Sequence, residues 1–227
     1  MILYVNGDSH SAGAEAVVPH CFAEDDPLYR GLGRQPHPEN ERASYGCLLA
    51  NELGAILHCD AESASSNTRI IRTTRDYLKN EGTPDAIVIG WSTWEREEWL
   101  LDGVFWQVNA GGVGKDWPEE IKERYKKYVV SIDWGCYEHK AHEEIFKFHQ
   151  ELTDLSIPHL FFNCYSDFQN QPMQDWSGSY IDPYDPDMTY WKWLTNHGFS
   201  SNPSYHFRAD AHRKWAEFLL PYLTRLL

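Results

Sequence analysis

Apolar residues alternate along the chain between short continuous runs and longer stretches in which they recur with helical spacing. The short runs are typical of strands buried on both faces, and they cover residues 2–6, 55–59, 85–90 and 159–164. The helical spacing covers residues 44–53, 67–80, 118–130, 138–155 and 208–226. Strands that alternate with helices in this way predict an α/β fold, with a parallel sheet covered by helices on both sides.

Three long segments show neither pattern and are rich in Gly, Pro, Trp and Asp: residues 14–42, 91–117 and 165–187. We predict that they are loops on or near the edge formed by the carboxyl ends of the strands, where ligand sites of parallel sheets gather. A length of 227 residues fits one domain, which we expect to span residues 1–227.

Charge and composition narrow the classes of function. The net charge of −14 would repel a phosphate backbone, and the densest basic run, residues 122–127, is interrupted by Glu123, so we expect no nucleic-acid partner. No apolar run approaches the ~18 residues that a membrane span needs, and the residues before the first strand do not resemble a secretory leader. We therefore expect no membrane partner and no secretory signal, with a mature fragment of an exported protein as the open alternative. The five cysteines form no CxxC pair, which favours reduced thiols in a cytoplasmic protein. The oligomeric state stays open.

The first strand leads directly into a polar turn, "NGDSHSAG", which contains Gly7, Asp8 and Ser9. Gly7 would permit a sharp turn, and Ser9 would stand at the carboxyl edge of the sheet. The stretch resembles the first sequence block of the SGNH (GDSL-like) hydrolases, and further blocks extend the resemblance over most of the chain. The resemblance implies a three-layer α/β/α, flavodoxin-like fold with Ser9 as the nucleophile and Asp8 at the same site.

A second block of that family resembles "SASSNTRI", residues 63–70. Ala64 stands where the family has a glycine that donates its backbone N–H to the oxyanion, and an alanine keeps that donor. Asn67, in the same block, is expected near the oxyanion or the substrate.

The third block of the family resembles "GWST", residues 90–93, with one departure. The family asparagine that donates to the oxyanion is replaced by Ser92, whose hydroxyl is a shorter donor, and Arg96 could supply charge instead. Trp91 and Trp94 border this position, so we expect them near the substrate, whereas most other tryptophans are expected to fill local cores.

The last block resembles "PSYHFRADAH", residues 203–212, in which His206 and His212 have the family's spacing. The resemblance makes His206 the general base. Pro203 occupies the position of the triad aspartate and has no side-chain acceptor. A backbone carbonyl, Asn202, Ser204 or a loop aspartate is therefore expected to orient the imidazole, in a Ser–His dyad or an incomplete triad.

Three further histidines have simpler explanations. His139 and His142 are spaced as metal ligands on a helix, but their charged neighbours indicate a solvated face, so we predict no metal site, and the chemistry needs no cofactor. His10, beside the nucleophile, is expected either to touch the substrate or to fill space.

These residues support two hypotheses. In the first, the chain is a serine esterase that acts on a short acyl ester of a small molecule or carbohydrate. Transfer of the acyl group to an acceptor other than water is left open. In the second hypothesis, the departures at positions 64, 92 and 203 have eroded catalysis, and the aromatic loops recognise a glycan or a protein.

Overall fold

The computed structural model of the chain describes residues 1–22 and 36–227. Its strands are β1 (Ile2–Gly7), β2 (Ile56–Cys59), β3 (Ala86–Trp91), β4 (Glu97–Leu101), β5 (Val104–Val108) and β6 (His159–Asn163). Four of them form a parallel sheet in the order β2-β1-β3-β6. This is the order 2-1-3-4 of flavodoxin-like sheets.

The helices of the described residues are α1 (Pro38–Ala43), α2 (Tyr45–Glu52), α3 (Asn67–Asn80), α4 (Glu119–Val130), α5 (Trp134–Asp154), α6 (Tyr190–Asn196) and α7 (Ala209–Leu226). A short 3₁₀ helix spans Pro186–Met188. Among these residues, no helix combines the length and the apolar composition that crossing a bilayer requires.

Side chains on the two faces of the sheet enter two separate cores. On one face, Leu3 and Val5 of β1 pack with residues of α2, α6 and α7, including Trp215. On the other face, Tyr4 packs with residues of α3 and α5, including Phe148. Successive residues of a strand point to opposite faces, so β1 contributes to both cores. The result is a three-layer α/β/α arrangement, and the predicted fold class is confirmed.

The predicted loop 91–117 contains an antiparallel hairpin, β4–β5. Asp102 and Gly103 join its strands with φ values of 50° and 79°, as two-residue hairpin turns require. Trp99 and Trp106 face each other across the ladder, and such cross-strand aromatic pairs stabilise a hairpin. The expectation of an irregular loop is therefore wrong for these residues.

The boundaries of the other predicted segments differ less from those in the structure. The predicted loop 14–42 contains α1, and residues 23–35 of it lie outside the described residues. The helix predicted at 138–155 begins earlier, at Trp134, because the Asp133 side chain caps it by accepting from the Cys136 N–H. The segment 165–187 is largely irregular, as predicted, but the short helix α6 that follows it was not predicted.

Burial holds histidines on both sides of the sheet in the neutral form. His149 Nδ1 lies 2.8 Å from His159 Nε2, and His159 Nδ1 donates to the Ile157 carbonyl at 2.7 Å. On the other side of the sheet, His212 Nδ1 accepts from the Tyr45 N–H at 3.3 Å. Burial lowers the pKa of His159 to about 4 and that of His212 to about 3.

Stability should therefore fall as the pH drops from about 6.5 toward 4. Above this window the histidines are neutral in both states, whereas within it the unfolded chain binds protons that the folded chain does not. By pH 5, His159 and His212 should each lower the free energy of unfolding by about 2 kcal/mol. Urea unfolding between pH 5 and 7 measures the loss.

The matched control is His139→Gln, because that side chain is 61% exposed and its loss should leave the free energy of unfolding at pH 7 unchanged. A free energy of unfolding that stays constant from pH 7 to pH 5 would contradict the expectation.

Candidate active site

Ser9 lies in the first turn after β1, which a glycine allows to form. Gly7 has a φ of 150°, and a Cβ there would lie 2.7 Å from the Gly90 carbonyl oxygen of β3, closer than side chains pack. The chain then winds tightly, with the Ala14 N–H donating to the Ser9 carbonyl at 2.9 Å. These contacts place Ser9 at the carboxyl edge of the sheet, almost fully buried.

His206 lies in a tight loop before α7. The loop is closed by the Asn202 N–H, which donates to the His206 carbonyl at 2.8 Å, and by the Asn202 Oδ1, which accepts from the His206 N–H at 2.9 Å. The Ala209 N–H donates to the Ala16 carbonyl at 3.2 Å. That bond joins the start of α7 to the turn that follows Ser9, so His206 and Ser9 border one cavity.

The carboxylate in contact with the His206 imidazole belongs to Glu15. Its Oε2 accepts from His206 Nδ1 at 2.7 Å and from the Asn202 amide at 2.8 Å. Burial acts to raise the pKa of Glu15, but the hydrogen bonds from His206 and Asn202 outweigh it and lower that pKa. Glu15 also has a φ of 59°, a left-handed conformation that costs a non-glycine residue ~1–2 kcal/mol.

The expected orienters of the imidazole need correction. Asn202 holds Glu15 and the backbone N–H groups of Ser204 and His206 rather than the imidazole ring. Ser204 lines the cavity, and its hydroxyl helps to lower the pKa of Glu15. A loop aspartate was one of the residues expected beside the imidazole, and the structure has a loop glutamate, Glu15, in that position. One feature of the sequence could have indicated Glu15, because it is the first acidic residue after Ser9 along the chain.

Asp8 is a buried carboxylate that accepts several hydrogen bonds. Its Oδ1 accepts from the His10 N–H at 3.0 Å, and its Oδ2 accepts from the Ser92 hydroxyl and from Arg96 Nη1, each at 3.1 Å. Burial acts to raise the pKa of Asp8, but His10, Arg96 and the Ser92 hydrogen bond together lower it. Because Ser92 gives its only side-chain proton to Asp8, it is not free to serve as the expected third oxyanion donor.

Two other expected site residues have structural contacts instead. Trp91 is fully buried against Phe148 and Phe161, so the expectation that it borders the substrate is wrong. Asn67 uses both ends of its amide on the backbone of Ser92, accepting from the N–H at 2.8 Å and donating to the carbonyl at 3.3 Å. It thereby fixes the chain that follows β3.

The loop that carries Ala64 is held by the hairpin. The N–H of Ser66 donates to Gln107 Oε1 at 3.1 Å, and Gln107 Nε2 donates to Glu98 Oε1 at 2.9 Å. Arg72 of α3 closes the network with two bonds to Glu98. Ala64 itself has a φ of 69°, a left-handed conformation that a glycine would adopt with less strain. The contacts of the hairpin hold the loop in this conformation.

A cavity of about 390 Å³ opens beside the turn, lined by Ser9, His10, Thr93, Arg96, Tyr165, Ser204, Tyr205 and His206. Ala64, Asn67, Ser92 and Trp91 are not among these residues. Within the part of the chain that the structure describes, the backbone N–H groups of Ser9 and Ala64 donate to no other protein atom. The cavity thus joins a serine hydroxyl to a carboxylate-bound imidazole, an arrangement suited to nucleophilic catalysis.

No protein-family model matches the chain, and no curated protein matches it. Among solved structures, the chain is similar to a protein from Desulfitobacterium hafniense DCB-2 described as lipolytic and of the G-D-S-L family. The identity is 12% and the TM-score 0.48, with 100% of this chain and 99% of that chain covered.

Two carbohydrate esterases of family 2 are also similar in structure. For the enzyme from Corynascus thermopiles (Myceliophthora fergusii), the identity is 17%, the TM-score 0.44, and the coverage 99% of this chain and 66% of that chain. For the enzyme from Clostridium thermocellum in complex with cellohexaose, the identity is 11%, the TM-score 0.43, and the coverage 99% and 63%. The fold assignment rests on the strand order described above.

The ion pair between Asp8 and Arg96 should contribute measurably to the free energy of unfolding. Arg96→Met leaves a buried carboxylate without its cation and should lower the free energy of unfolding by about 3 kcal/mol. Neutralising both partners, in Asp8→Asn/Arg96→Met, should recover most of the loss. Urea unfolding at pH 7 measures both.

The control for this pair is Lys126→Met, which breaks an ion pair between two exposed side chains and should leave stability unchanged. If the single and double variants at positions 8 and 96 are equally unstable, the loss comes from packing rather than from the unpaired charge.

Proposed function

We propose that the chain is a serine ester hydrolase in which Ser9 is the nucleophile, His206 the general base and Glu15 the residue that orients the imidazole. The observation that carries the proposal is the 2.7 Å contact between Glu15 Oε2 and His206 Nδ1, with His206 and Ser9 lining one cavity. With its Nδ1 bound to a carboxylate, the neutral imidazole carries its proton there, so Nε2 is the basic nitrogen.

Acyl transfer to Ser9 follows from that tautomer. Ser9 Oγ bonds to the ester carbonyl carbon while its proton passes to His206 Nε2, and the carbonyl electron pair moves onto the oxygen. When the tetrahedral intermediate collapses, the same proton passes to the departing alkoxide, which leaves as an alcohol. Water then attacks the acyl-enzyme and gives a proton to His206 Nε2. When this second tetrahedral intermediate collapses, the bond between the acyl carbon and Ser9 Oγ breaks, His206 returns the proton to Ser9 Oγ, and the carboxylic acid leaves. Glu15 stays ionised and stabilises the imidazolium that forms in each step.

The proposed oxyanion donors are the backbone N–H of Ser9, which lines the cavity, and that of Ala64, which lies outside its lining and is included on the SGNH resemblance alone. No other described protein atom uses either N–H. Their free donors match what a developing negative charge requires. The cavity volume of about 390 Å³ lies at the small end of ligand sites. Tyr205, 63% exposed at its rim, offers an aromatic face to an alcohol or sugar. We therefore infer a short acyl ester of a small molecule or carbohydrate as the substrate.

One observation favours the alternative, a binding module without catalysis. Ser92 donates to Asp8, so the side-chain donor that the SGNH resemblance places in the third block is absent from the oxyanion site. Loss of one such donor typically costs ~100–1000-fold in rate. The alternative predicts binding of a glycan or protein with no reaction at Ser9.

Turnover of p-nitrophenyl acetate tests the proposal. Ser9→Ala should lower kcat about 10⁶-fold because the nucleophile is removed. Glu15→Gln should lower kcat about 10³–10⁴-fold because an amide no longer fixes the productive tautomer of His206. Glu217→Gln is the matched control, since that carboxylate lies on the exposed face of α7, and it should behave as the wild type.

Labelling by a fluorophosphonate probe separates the two functions. Modification of Ser9 in the wild type, but not in Ser9→Ala, supports the hydrolase. Equal turnover in wild type and Ser9→Ala would remove Ser9 from the mechanism, and the absence of both labelling and turnover would favour the binding module.

A further inference from the structure

His10 is a buried imidazole directly beside the proposed nucleophile. It is 2% exposed, and its ring lies edge-on to Tyr165 and to His206, with centroid distances of 4.8 and 5.3 Å. Tyr190 packs on a further side at 5.2 Å. Its own backbone N–H is bound to Asp8. The ring is therefore held in place at the reacting end of the cavity.

The hydrogen bonding of this ring is incomplete. Nδ1 is enclosed by protein and has no partner among the described residues, although buried polar atoms almost always have one. Because the ring lines the cavity, Nε2 is the nitrogen that can meet a ligand. A proton on the enclosed Nδ1 would be stranded without an acceptor, so the neutral ring carries its proton on Nε2.

The ring is also neutral at ordinary pH. Burial lowers the pKa of His10 to about 4, with the nearby His206 and Arg96 acting in the same direction and Asp8 against it. A neutral imidazole can donate one hydrogen bond without giving up its proton, as an electrophilic histidine does. His10 therefore presents a fixed donor to the cavity at neutral pH.

We propose that His10 Nε2–H donates to the carbonyl oxygen of the acyl substrate and is the third oxyanion donor of this site. The inference rests on the proposed hydrolase function. It places the missing side-chain donor next to Ser9 rather than at position 92, where the Ser92 hydroxyl is committed to Asp8. No proton moves from His10. Its hydrogen bond strengthens as the carbonyl electron pair moves onto the oxygen, and relaxes when the intermediate collapses.

The test compares two variants of His10, one without and one with an N–H donor. His10→Phe keeps an aromatic ring without a donor, and kcat should fall about 100–1000-fold while KM changes little. His10→Gln keeps an N–H donor and should recover at least tenfold over His10→Phe. The affinity of a trifluoromethyl ketone, which forms a tetrahedral adduct with a serine, should fall in His10→Phe by about the same factor as kcat/KM.

A merely structural role would not separate the two variants in this way. The pH profile of kcat/KM in His10→Gln should match that of the wild type, because His10 transfers no proton. Should His10→Phe fail to fold, His10→Met, also without a donor, takes its place. The inference is overturned if the donor-free variant keeps kcat within threefold of the wild type, or if His10→Gln removes a limb of the pH profile. Failure of the hydrolase itself appears separately, as equal turnover in wild type and Ser9→Ala.

Discussion

The buried carboxylate of Asp8 is the interaction on which the rest of the site depends. It lies between the carboxyl ends of two parallel strands, where a charge without partners would be strongly destabilising. Donors from His10, Ser92 and Arg96 satisfy it. These donors come from two segments far apart in sequence, so one buried charge fixes both the turn that carries Ser9 and the chain that follows β3. The same buried carboxylate therefore holds both the turn that carries Ser9 and the segment that forms the facing wall of the cavity.

Much of the fold is predictable from the sequence because the relevant signals are local. Apolar runs locate the strands of the sheet and helical spacing locates the major helices, so Ser9 is correctly placed at a strand end. The hydrophobic pattern does not predict the hairpin, although Asp102-Gly103 is a turn signal, because its strands are short and only partly buried. Trp91 was misplaced because β3 runs to that residue, and the alternation of the strand turns the ring into the core.

The site is less predictable because its partners are set by tertiary contacts. Glu15 and His206 are 191 residues apart, and no local pattern relates them. The resemblance to SGNH hydrolases indicates the serine and the imidazole, yet it directs attention to position 203 for the carboxylate. The Ser92 hydroxyl is chemically able to donate to an oxyanion, but the structure shows that it donates to Asp8 instead. The sequence does not indicate this contact.

The proposed nucleophile and the acidic residue are carried by the same turn, whereas the imidazole arrives with the segment before α7. This division has a consequence for biosynthesis. During synthesis, Ser9 and Glu15 leave the ribosome before the segment that carries His206, so Ser9 is at first without the imidazole. Under the proposed function, the site is complete only when α7 docks and the Ala209 N–H bonds to the Ala16 carbonyl, so that a chain lacking α7 would have no esterase activity.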